Sequence, residues 1–198
     1  MQKLSGFLLL TVMASLTACQ GHEKKILVYA SGNIKVDDSK KHITIAEGTT
    51  HHEQELDFTS GDPVSLEVES PQGKTTLNVT DDGLYIANLK PDTVLGSMQH
   101  VGADGGEAHI SQDMLKQKLD SLQKLTTGQN VSEANKNYLI APGKVAKISA
   151  NAKGKIFGPY KTIPSSFDAG SVPEIYKFYS IKEIREIIGN LERMSSTK

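Results

Sequence analysis

The segment Val64-Ser65-Leu66-Glu67-Val68-Glu69 alternates apolar with polar side chains without a break. In an extended strand successive side chains point to opposite faces, so the three apolar residues share one face. This period of two predicts a β-strand that is half buried in a sheet. The turn Ser70-Pro71-Gln72-Gly73 follows, since proline presets its own backbone angle and glycine tolerates a left-handed one. The chain then returns through residues 75–80, which predicts a hairpin.

Short apolar runs of the same kind, separated by turn residues, fill the sequence from residue 26 to residue 89. Several strands at such spacing predict a small antiparallel sandwich. The predicted fold class is therefore α+β, with an N-terminal antiparallel β-sandwich-like domain over residues 26–101 and a smaller α+β portion over residues 102–198. The other predicted strands of the sandwich are Ile26-Leu27-Val28-Tyr29-Ala30, Ile34-Lys35-Val36, Ile43-Thr44-Ile45, residues 53–58 and residues 84–89.

The run Asp81-Asp82-Gly83-Leu84-Tyr85 resembles the segment before a late strand in immunoglobulin-like domains. In that family the tyrosine hydroxyl bonds back to nearby backbone and forms a tyrosine corner. The resemblance supports a sandwich and implies such a bond for Tyr85.

A helix near residues 112–125 is predicted from a start signal and a stop signal. Ser111 is a good N-cap, and Ile110 before it can pack on Leu115 as a hydrophobic staple. Gly128 ends the helix.

A second helix is predicted near residues 181–194, at the end of the α+β portion. Ser180-Ile181-Lys182-Glu183 has the pattern of a capping box, and Tyr179 can staple onto Ile184. Isoleucine and leucine side chains form one apolar stripe along this helix, and we expect the stripe to pack on the protein's own sheet.

The first residues of the chain carry the features of an export signal. Lys3 supplies positive charge, and residues 4–16 form an apolar run that is shorter than the roughly 20 residues needed to span a bilayer. The four residues Leu16-Thr17-Ala18-Cys19 resemble the lipobox of bacterial lipoproteins. The resemblance implies a signal peptide over residues 1–18, cleavage before Cys19, and lipid attachment at Cys19.

Acyl chains on Cys19, palmitate among them, would make the membrane the first partner of this protein, since more than one chain holds a protein stably. Cys19 is the only cysteine in the sequence, so its thiol has no intrachain disulfide partner. The polar residues 19–25 are predicted to be a lipidated tether. In the lipoprotein family an aspartate after the cysteine favours the inner membrane. Gln20 at that position implies the outer membrane, facing the periplasm.

The composition of the chain after residue 18 limits which partners and cofactors the protein is expected to bind. Removing residues 1–18 leaves a net charge of about −2, with no basic stripe, and this disfavours nucleic acid as a partner. Aromatic residues make up 6% of the chain, with no tryptophan, which argues against an aromatic platform for carbohydrate. No glycine-rich phosphate or dinucleotide motif has the required spacing, and no cofactor is predicted.

One group of residues has the chemistry of a weak metal site. In a strand, His51, Glu53 and Glu55 would share one face and offer a nitrogen and carboxylate oxygens to a divalent ion. The spacing matches no zinc signature, and a solvated strand edge explains the same residues. No metal ligand is therefore predicted beyond these candidates.

A histidine-based hydrolase can also be built from the sequence, with His109, Asp104 and a serine, or with His51 or His100. No nucleophile elbow is present to supply the serine, and no catalytic residue is predicted. The sequence thus favours a non-catalytic structural or accessory module that binds other envelope proteins or cell-wall material. Two alternatives remain: a carrier of a small apolar ligand, and an envelope hydrolase.

Overall fold

The computed structural model of this chain describes residues 21–99, 112–164 and 174–196, and these contain twelve strands and two helices. No helix in these ranges is long and apolar enough to cross a membrane. The elements in chain order are β1 (Lys24–Ser31), β2 (Ile34–Val36), β3 (His42–Ile45), β4 (His51–Phe58), β5 (Val64–Ser70), β6 (Gly73–Val79), β7 (Gly83–Leu89), β8 (Val94–Gln99), α1 (Gln112–Thr126), β9 (Asn137–Ile140), β10 (Lys144–Ser149), β11 (Lys155–Phe157), β12 (Ile175–Ser180) and α2 (Ile181–Ser196).

The strands form three four-stranded sheets that lie in layers. We call them the outer sheet (β2-β3-β5-β6), the central sheet (β10-β7-β1-β4) and the helix-side sheet (β11-β12-β8-β9). The fold of the described residues is thus mostly β and sandwich-like, with two helices added on one side.

Two apolar cores separate these layers. The first lies between the outer and central sheets and includes Leu66 of β5 and Ile26 of β1. The second lies between the central and helix-side sheets and includes Leu27 of β1 and Phe178 of β12. Neighbouring residues of β1 belong to different cores because alternate side chains of a strand point to opposite faces. The continuous apolar run over residues 26–30 of β1 therefore marks a strand that is buried on both faces.

A third, smaller core joins the helices to the helix-side sheet. Leu95 of β8, Leu125 of α1 and Ile184 of α2 are buried together, with Tyr179 packed beside them. The apolar stripe of α2 therefore packs on the protein's own sheet, as its spacing predicts. The capping box is confirmed as well, because the Ser180 amide donates to the Glu183 carboxylate at 2.8 Å and the Glu183 amide donates to the Ser180 hydroxyl at 3.1 Å.

The strand pairing differs from a wholly antiparallel sandwich. The hairpin of β5 with β6 and that of β2 with β3 are antiparallel and confirm the predicted turns. The antiparallel prediction is wrong for β1 with β7 and for β3 with β5, which pair in parallel. Turn residues predict only pairs that are adjacent in sequence, whereas the partners in these parallel pairs are separated along the chain by at least one other strand.

Hydrogen bonding crosses the predicted boundary between residues 101 and 102. Strand β10 completes the central sheet beside β7, and β8 pairs with β9 and β12 in the helix-side sheet. The two portions therefore share two sheets.

The helix predicted near 112–125 is observed as α1, while its predicted cap Ser111 and staple residue Ile110 lie outside the described residues.

The tyrosine corner is confirmed. The Tyr85 hydroxyl donates to the Asp81 carbonyl at 2.8 Å, and the ring is buried in the core against the outer sheet. We expect Tyr85→Phe to lower the free energy of unfolding by about 1 kcal/mol, the net worth of one hydrogen bond. Urea denaturation of the two proteins measures this difference. An unchanged unfolding midpoint would show that the bond does not stabilise the fold.

The beginning of β1 is fixed to the neighbouring loops by buried charge. Lys24 is fully buried, and its ammonium donates to the Ser60 carbonyl at 2.8 Å and to Asp82 at 3.1 Å. The His22 Nδ1 lies 2.7 Å from the other Asp82 oxygen. Lys24 and Lys25, predicted as the end of a tether, are the first residues of β1. Strand β1 therefore begins closer to Cys19 than the sequence suggests.

Candidate functional site

A cluster of polar side chains lies near the end of the central sheet opposite to Lys24. We define the Glu53 cluster as Tyr29, His51, Glu53 and Lys161. Strands β1 and β4 pair in antiparallel register with Tyr29 opposite Glu53. Because β4 is an edge strand of the central sheet, its side chains can meet the loop that follows β11.

Glu53 is the centre of this cluster. His51 Nε2 lies 2.9 Å from Glu53 Oε1, and the Lys161 ammonium contacts Glu53 Oε2. The Glu53 side chain is 9% exposed, whereas Lys161 is 57% exposed. Burial acts to raise the pKa of Glu53, but the hydrogen bonds and charges of His51 and Lys161 outweigh it and lower the pKa. The carboxylate is thus held ionised between a ring and an ammonium.

We expect Glu53→Gln to destabilise the protein at neutral pH and to have little effect in acid. The pKa of Glu53 is lower in the folded chain than its ordinary value of 4.5, so the ionised group stabilises the fold above that pH. This contribution is lost as the pH falls through the folded-state pKa. Urea denaturation of wild type and variant between pH 7 and pH 3 measures the convergence of their unfolding free energies.

Glu55 provides a matched control for that experiment because it lies on the same face of the same strand. Its carboxylate accepts from Lys25 at 3.0 Å and is 50% exposed. Exposed ion pairs contribute little, so Glu55→Gln should change the unfolding free energy by less than about 1 kcal/mol at either pH. A difference between wild type and Glu53→Gln that is the same at pH 7 and pH 3 would contradict the role given to Glu53.

The three residues named as metal candidates do not come together around one point. His51 and Glu53 are in contact as a strand register allows, while Glu55 turns to Lys25. Within the ranges that the structure describes, no three histidine, cysteine, aspartate or glutamate side chains are placed to hold a metal ion. His51 and Glu53 instead form part of an ion-pair network.

The residues named for a hydrolase cannot be compared with this geometry as a set. His51 is in the Glu53 cluster, while His100, Asp104 and His109 lie outside the described residues. Cys19 lies outside them as well. His51 Nε2 is engaged by Glu53, so the one described histidine of the set contacts a carboxylate and no hydroxyl nucleophile.

Two buried polar atoms of the cluster have no hydrogen-bond partner among the described residues: the Tyr29 hydroxyl and His51 Nδ1. The two rings are in edge-to-face contact, with centroids 5.3 Å apart. Burial, together with the negative charges of Glu53 and Glu183, raises the pKa of Tyr29 well above its ordinary value. Tyr29 therefore stays a neutral phenol at physiological pH.

Gly158 allows the loop after β11 to approach this cluster. A Cβ at this position would lie 1.8 Å from Glu53 Oε1 and 2.9 Å from the Tyr29 hydroxyl. A side chain at this position would displace the Glu53 carboxylate.

The loop is fastened to the helix-side sheet and to α2 as well. The buried Lys177 ammonium donates to the Gly158 carbonyl at 2.6 Å, and the Tyr160 amide donates to Glu183 Oε1 at 2.7 Å. Tyr160 has a φ of 64°, which is uncommon for a bulky residue and persists only where the surroundings impose it. With Lys161 held by Glu53, the loop is fixed at three places, to the central sheet, to the helix-side sheet and to α2.

This fixed loop forms one wall of an open groove with a volume of about 470 Å³. We call it the Tyr160 groove. The Tyr160 side chain is 62% exposed, whereas Lys177 is 6% exposed and lies at the groove's inner side. The groove is lined by residues 160–163 of the loop together with Lys177, Tyr179 and Glu183.

The sequence named two residues of this site, and only as weak candidates for a metal site. His51 and Glu53 were identified from their chemistry, whereas Tyr160 and Lys177 were not. A signal existed for Lys177, because it is the single charged residue within the apolar strand Ile175-Tyr176-Lys177-Phe178-Tyr179. A lysine is almost never fully buried unless it has a partner, so its place in an apolar run marks a special environment.

Comparisons with protein families, with curated proteins and with solved structures each return no match for this chain.

Proposed function

We propose that this chain is a lipid-anchored cell-envelope protein, attached through Cys19 to the outer membrane and facing the periplasm. Its folded part is an α+β module that serves as a non-catalytic accessory, binding other envelope proteins or cell-wall material. The lipobox supports the anchor. The Tyr160 groove supports the binding role, because its wall is fixed before any ligand arrives and a preorganised surface loses less entropy on binding.

The contacts of His51 and Glu53 favour binding over catalysis. A general base needs a free nitrogen within hydrogen-bond reach of the proton that it removes. His51 Nε2 is instead directed to Glu53, and His51 Nδ1 is buried. Glu53 is in turn held by Lys161. These residues position the loop that carries Tyr160, so their role in the proposal is structural.

The anchor is tested by Cys19→Ser in a bacterium with two membranes. Wild type is expected to sediment with the outer membrane and to incorporate labelled palmitate, and the variant is expected to do neither. Gln20→Asp is a matched variant that keeps the thiol. The resemblance to lipoproteins implies that it stays lipidated but moves to the inner membrane. Unlabelled wild type, or labelling that survives Cys19→Ser, would contradict the proposal.

The carrier of a small apolar ligand remains a second candidate because the groove has aromatic walls beside α2. Tyr160 and Tyr179 flank it, and Ile163 lines it. Such a carrier would bind neutral apolar probes, and their affinity would not depend on Lys177. An accessory module of the kind proposed would show polar selectivity. Turnover of a small ester by wild type that is abolished in His51→Ala would instead identify a hydrolase.

A further inference from the structure

We propose that the Tyr160 groove binds a carboxylate group of its ligand, with the Lys177 ammonium as the receptor and the rings of Tyr160 and Tyr179 beside it. This inference rests on the proposed binding function and names the chemistry that the groove recognises. The carboxylate could belong to a peptide C-terminus or to a small organic acid, and the experiment below separates these sources.

Lys177 carries the inference because its charge is buried without a counterion. It is 6% exposed, and within the described ranges no carboxylate lies within 4.0 Å of its ammonium. Its one hydrogen bond goes to the Gly158 carbonyl, and the ammonium lies 4.6 Å from the centre of the Tyr179 ring. An ammonium has three donors, so two remain to be satisfied. A buried charge is costly unless it is paired.

Lys24 shows how this protein pairs a buried lysine when no ligand is needed. Lys24 is fully buried, as Lys177 nearly is, but the Asp82 carboxylate lies 3.1 Å from its ammonium. Lys177 faces a groove instead of an internal carboxylate. Burial lowers the pKa of Lys177, and the negative charges of Glu183 and Glu53 offset this only in part. An anion in the groove would supply the missing charge.

The neighbouring charged groups are already engaged, which directs an anion to Lys177. Lys161 contacts Glu53. Glu183 accepts from the Tyr160 and Ser180 amides, one on each oxygen. The Lys90 ammonium, 5.8 Å from the centre of the Tyr160 ring, lies 3.9 Å from the Asp92 carboxylate. The carboxylates of Glu53 and Glu183 near Lys177 disfavour an ion with more than one negative charge. The groove therefore suits a monoanionic carboxylate better than a phosphate.

The Tyr160 backbone supports a ligand-facing role for its ring. The residue has a φ of 64° although no glycine or asparagine stands there, and Glu183 holds its amide at 2.7 Å. Sparsely populated backbone conformations of this kind cluster at binding sites, where the surroundings maintain them. The Tyr160 ring meets the His51 ring at a centroid distance of 6.0 Å, and its hydroxyl lies 3.3 Å from the Ser180 hydroxyl. The residue is still 62% exposed, so ring surface remains for a bound group.

The test measures binding to the purified full-length mature protein in detergent by isothermal titration calorimetry. The probes are an acetylated tripeptide ending in tyrosine, as its free acid and as its C-terminal amide, and benzoate. We expect the free acid to bind at least tenfold more tightly than the amide. Binding of benzoate as well would indicate that a small acid suffices, whereas binding of the peptide acid alone would indicate recognition of a peptide terminus.

Variants assign the effect to Lys177. Lys177→Met is expected to lose at least tenfold in affinity for the acid, while Lys177→Arg, which keeps the charge, should stay within about threefold of wild type. Lys153→Met, at an exposed lysine outside the groove, should bind as wild type does. Thermal melts report whether each variant is folded, and the comparison of acid with amide on wild type tests the inference even if Lys177→Met does not fold.

Three outcomes would overturn the inference: equal affinity for acid and amide, full affinity in folded Lys177→Met, or no binding of any probe at millimolar concentration. Each leaves the proposed lipid anchor standing, because the anchor is judged by fractionation of Cys19→Ser. Conversely, a protein that fails to reach the membrane can still show selective binding of the acid by Lys177.

Discussion

Phe178→Ala is expected to lower the free energy of unfolding by about 3–5 kcal/mol, the usual result of truncating a fully buried phenylalanine. Phe178 is 0% exposed and lies in the core between the central and helix-side sheets, where its ring contacts that of Tyr138 at a centroid distance of 6.0 Å. Urea denaturation followed by circular dichroism measures the loss. Leu139→Ala, at a leucine that is 36% exposed, should lose less than about 1.5 kcal/mol because far less apolar surface is uncovered.

Substitution of Gly96 tests whether this glycine packs directly against the Phe178 ring. A Cβ on Gly96 would lie 2.4 Å from the nearest atom of the Phe178 ring, so Gly96→Ala should overfill the core and cost about 1–3 kcal/mol. In a protein that already carries Phe178→Ala, the new methyl group would enter the vacated space. We expect its cost to disappear there, giving a coupling energy of about 1 kcal/mol or more between the two sites. Strict additivity of the two losses would show that these residues do not touch.

The second large effect is expected for Gly158→Ala, which should destabilise the protein by about 2–3 kcal/mol. The added Cβ would lie 1.8 Å from Glu53 Oε1, so the carboxylate must move. His51 and Lys161 then lose their acceptor, and the loop that carries Tyr160 loses one of its attachments. The same urea experiment measures this change, and the affinity of the Tyr160 groove for the acid probe should fall with it.

Gly189→Ala is the matched control, since it makes the same substitution where a Cβ meets nothing within 4 Å. In the interior of α2 alanine is the better helix former, so we expect the free energy of unfolding to rise by about 0.5–1 kcal/mol.

The pH dependence of the unfolding free energy of Gly158→Ala distinguishes displacement of Glu53 from a general packing defect. Loss of the Glu53 contacts should bring Gly158→Ala and wild type closer together as the pH falls through the folded-state pKa of Glu53. A constant difference across pH would mean that Glu53 is not the group displaced.

The sequence predicted those parts of the fold that depend on neighbours along the chain. Alternation at Val64-Ser65-Leu66-Glu67-Val68-Glu69 gave the strand that is observed, and the pattern Ser180-Ile181-Lys182-Glu183 gave the helix start with both of its reciprocal bonds. Tyr85 was placed correctly from five residues. Each of these structures is decided by bonds or side-chain faces within a few residues, which a local pattern contains.

The pairing of distant strands could not be predicted in the same way. β1 and β7 are both apolar runs, and periodicity does not say whether two such runs lie parallel or antiparallel. The short strand β11 also pairs in parallel, with β12, and the two strands are separated along the chain by a long segment. The change in composition near residue 101 suggested a division of the chain there. Two of the sheets nevertheless contain strands from both sides of that position.

The site was missed for a related reason. Its residues come from β1, β4, the loop after β11, β12 and α2, and no spacing in the sequence connects Glu53 with Lys161. The strained backbone of Tyr160 has no sequence signature, because glycine or asparagine would be the expected residue at a positive φ. Only the lysine within an apolar strand could have directed attention to Lys177.

The buried ammonium of Lys24 also limits the distance between Cys19 and the Tyr160 groove. The Lys24 ammonium holds the first residue of β1 against the Ser60 carbonyl and Asp82, so the first strand begins within a few residues of Cys19. At about 3.5 Å per residue, the intervening chain reaches no more than about 18 Å. The Tyr160 groove lies toward the other end of β1, roughly 20 Å further on at about 3.3 Å per residue. In a lipidated molecule the short connection would keep the Tyr160 groove within a limited distance of the bilayer surface, so that only partners close to that surface could reach it.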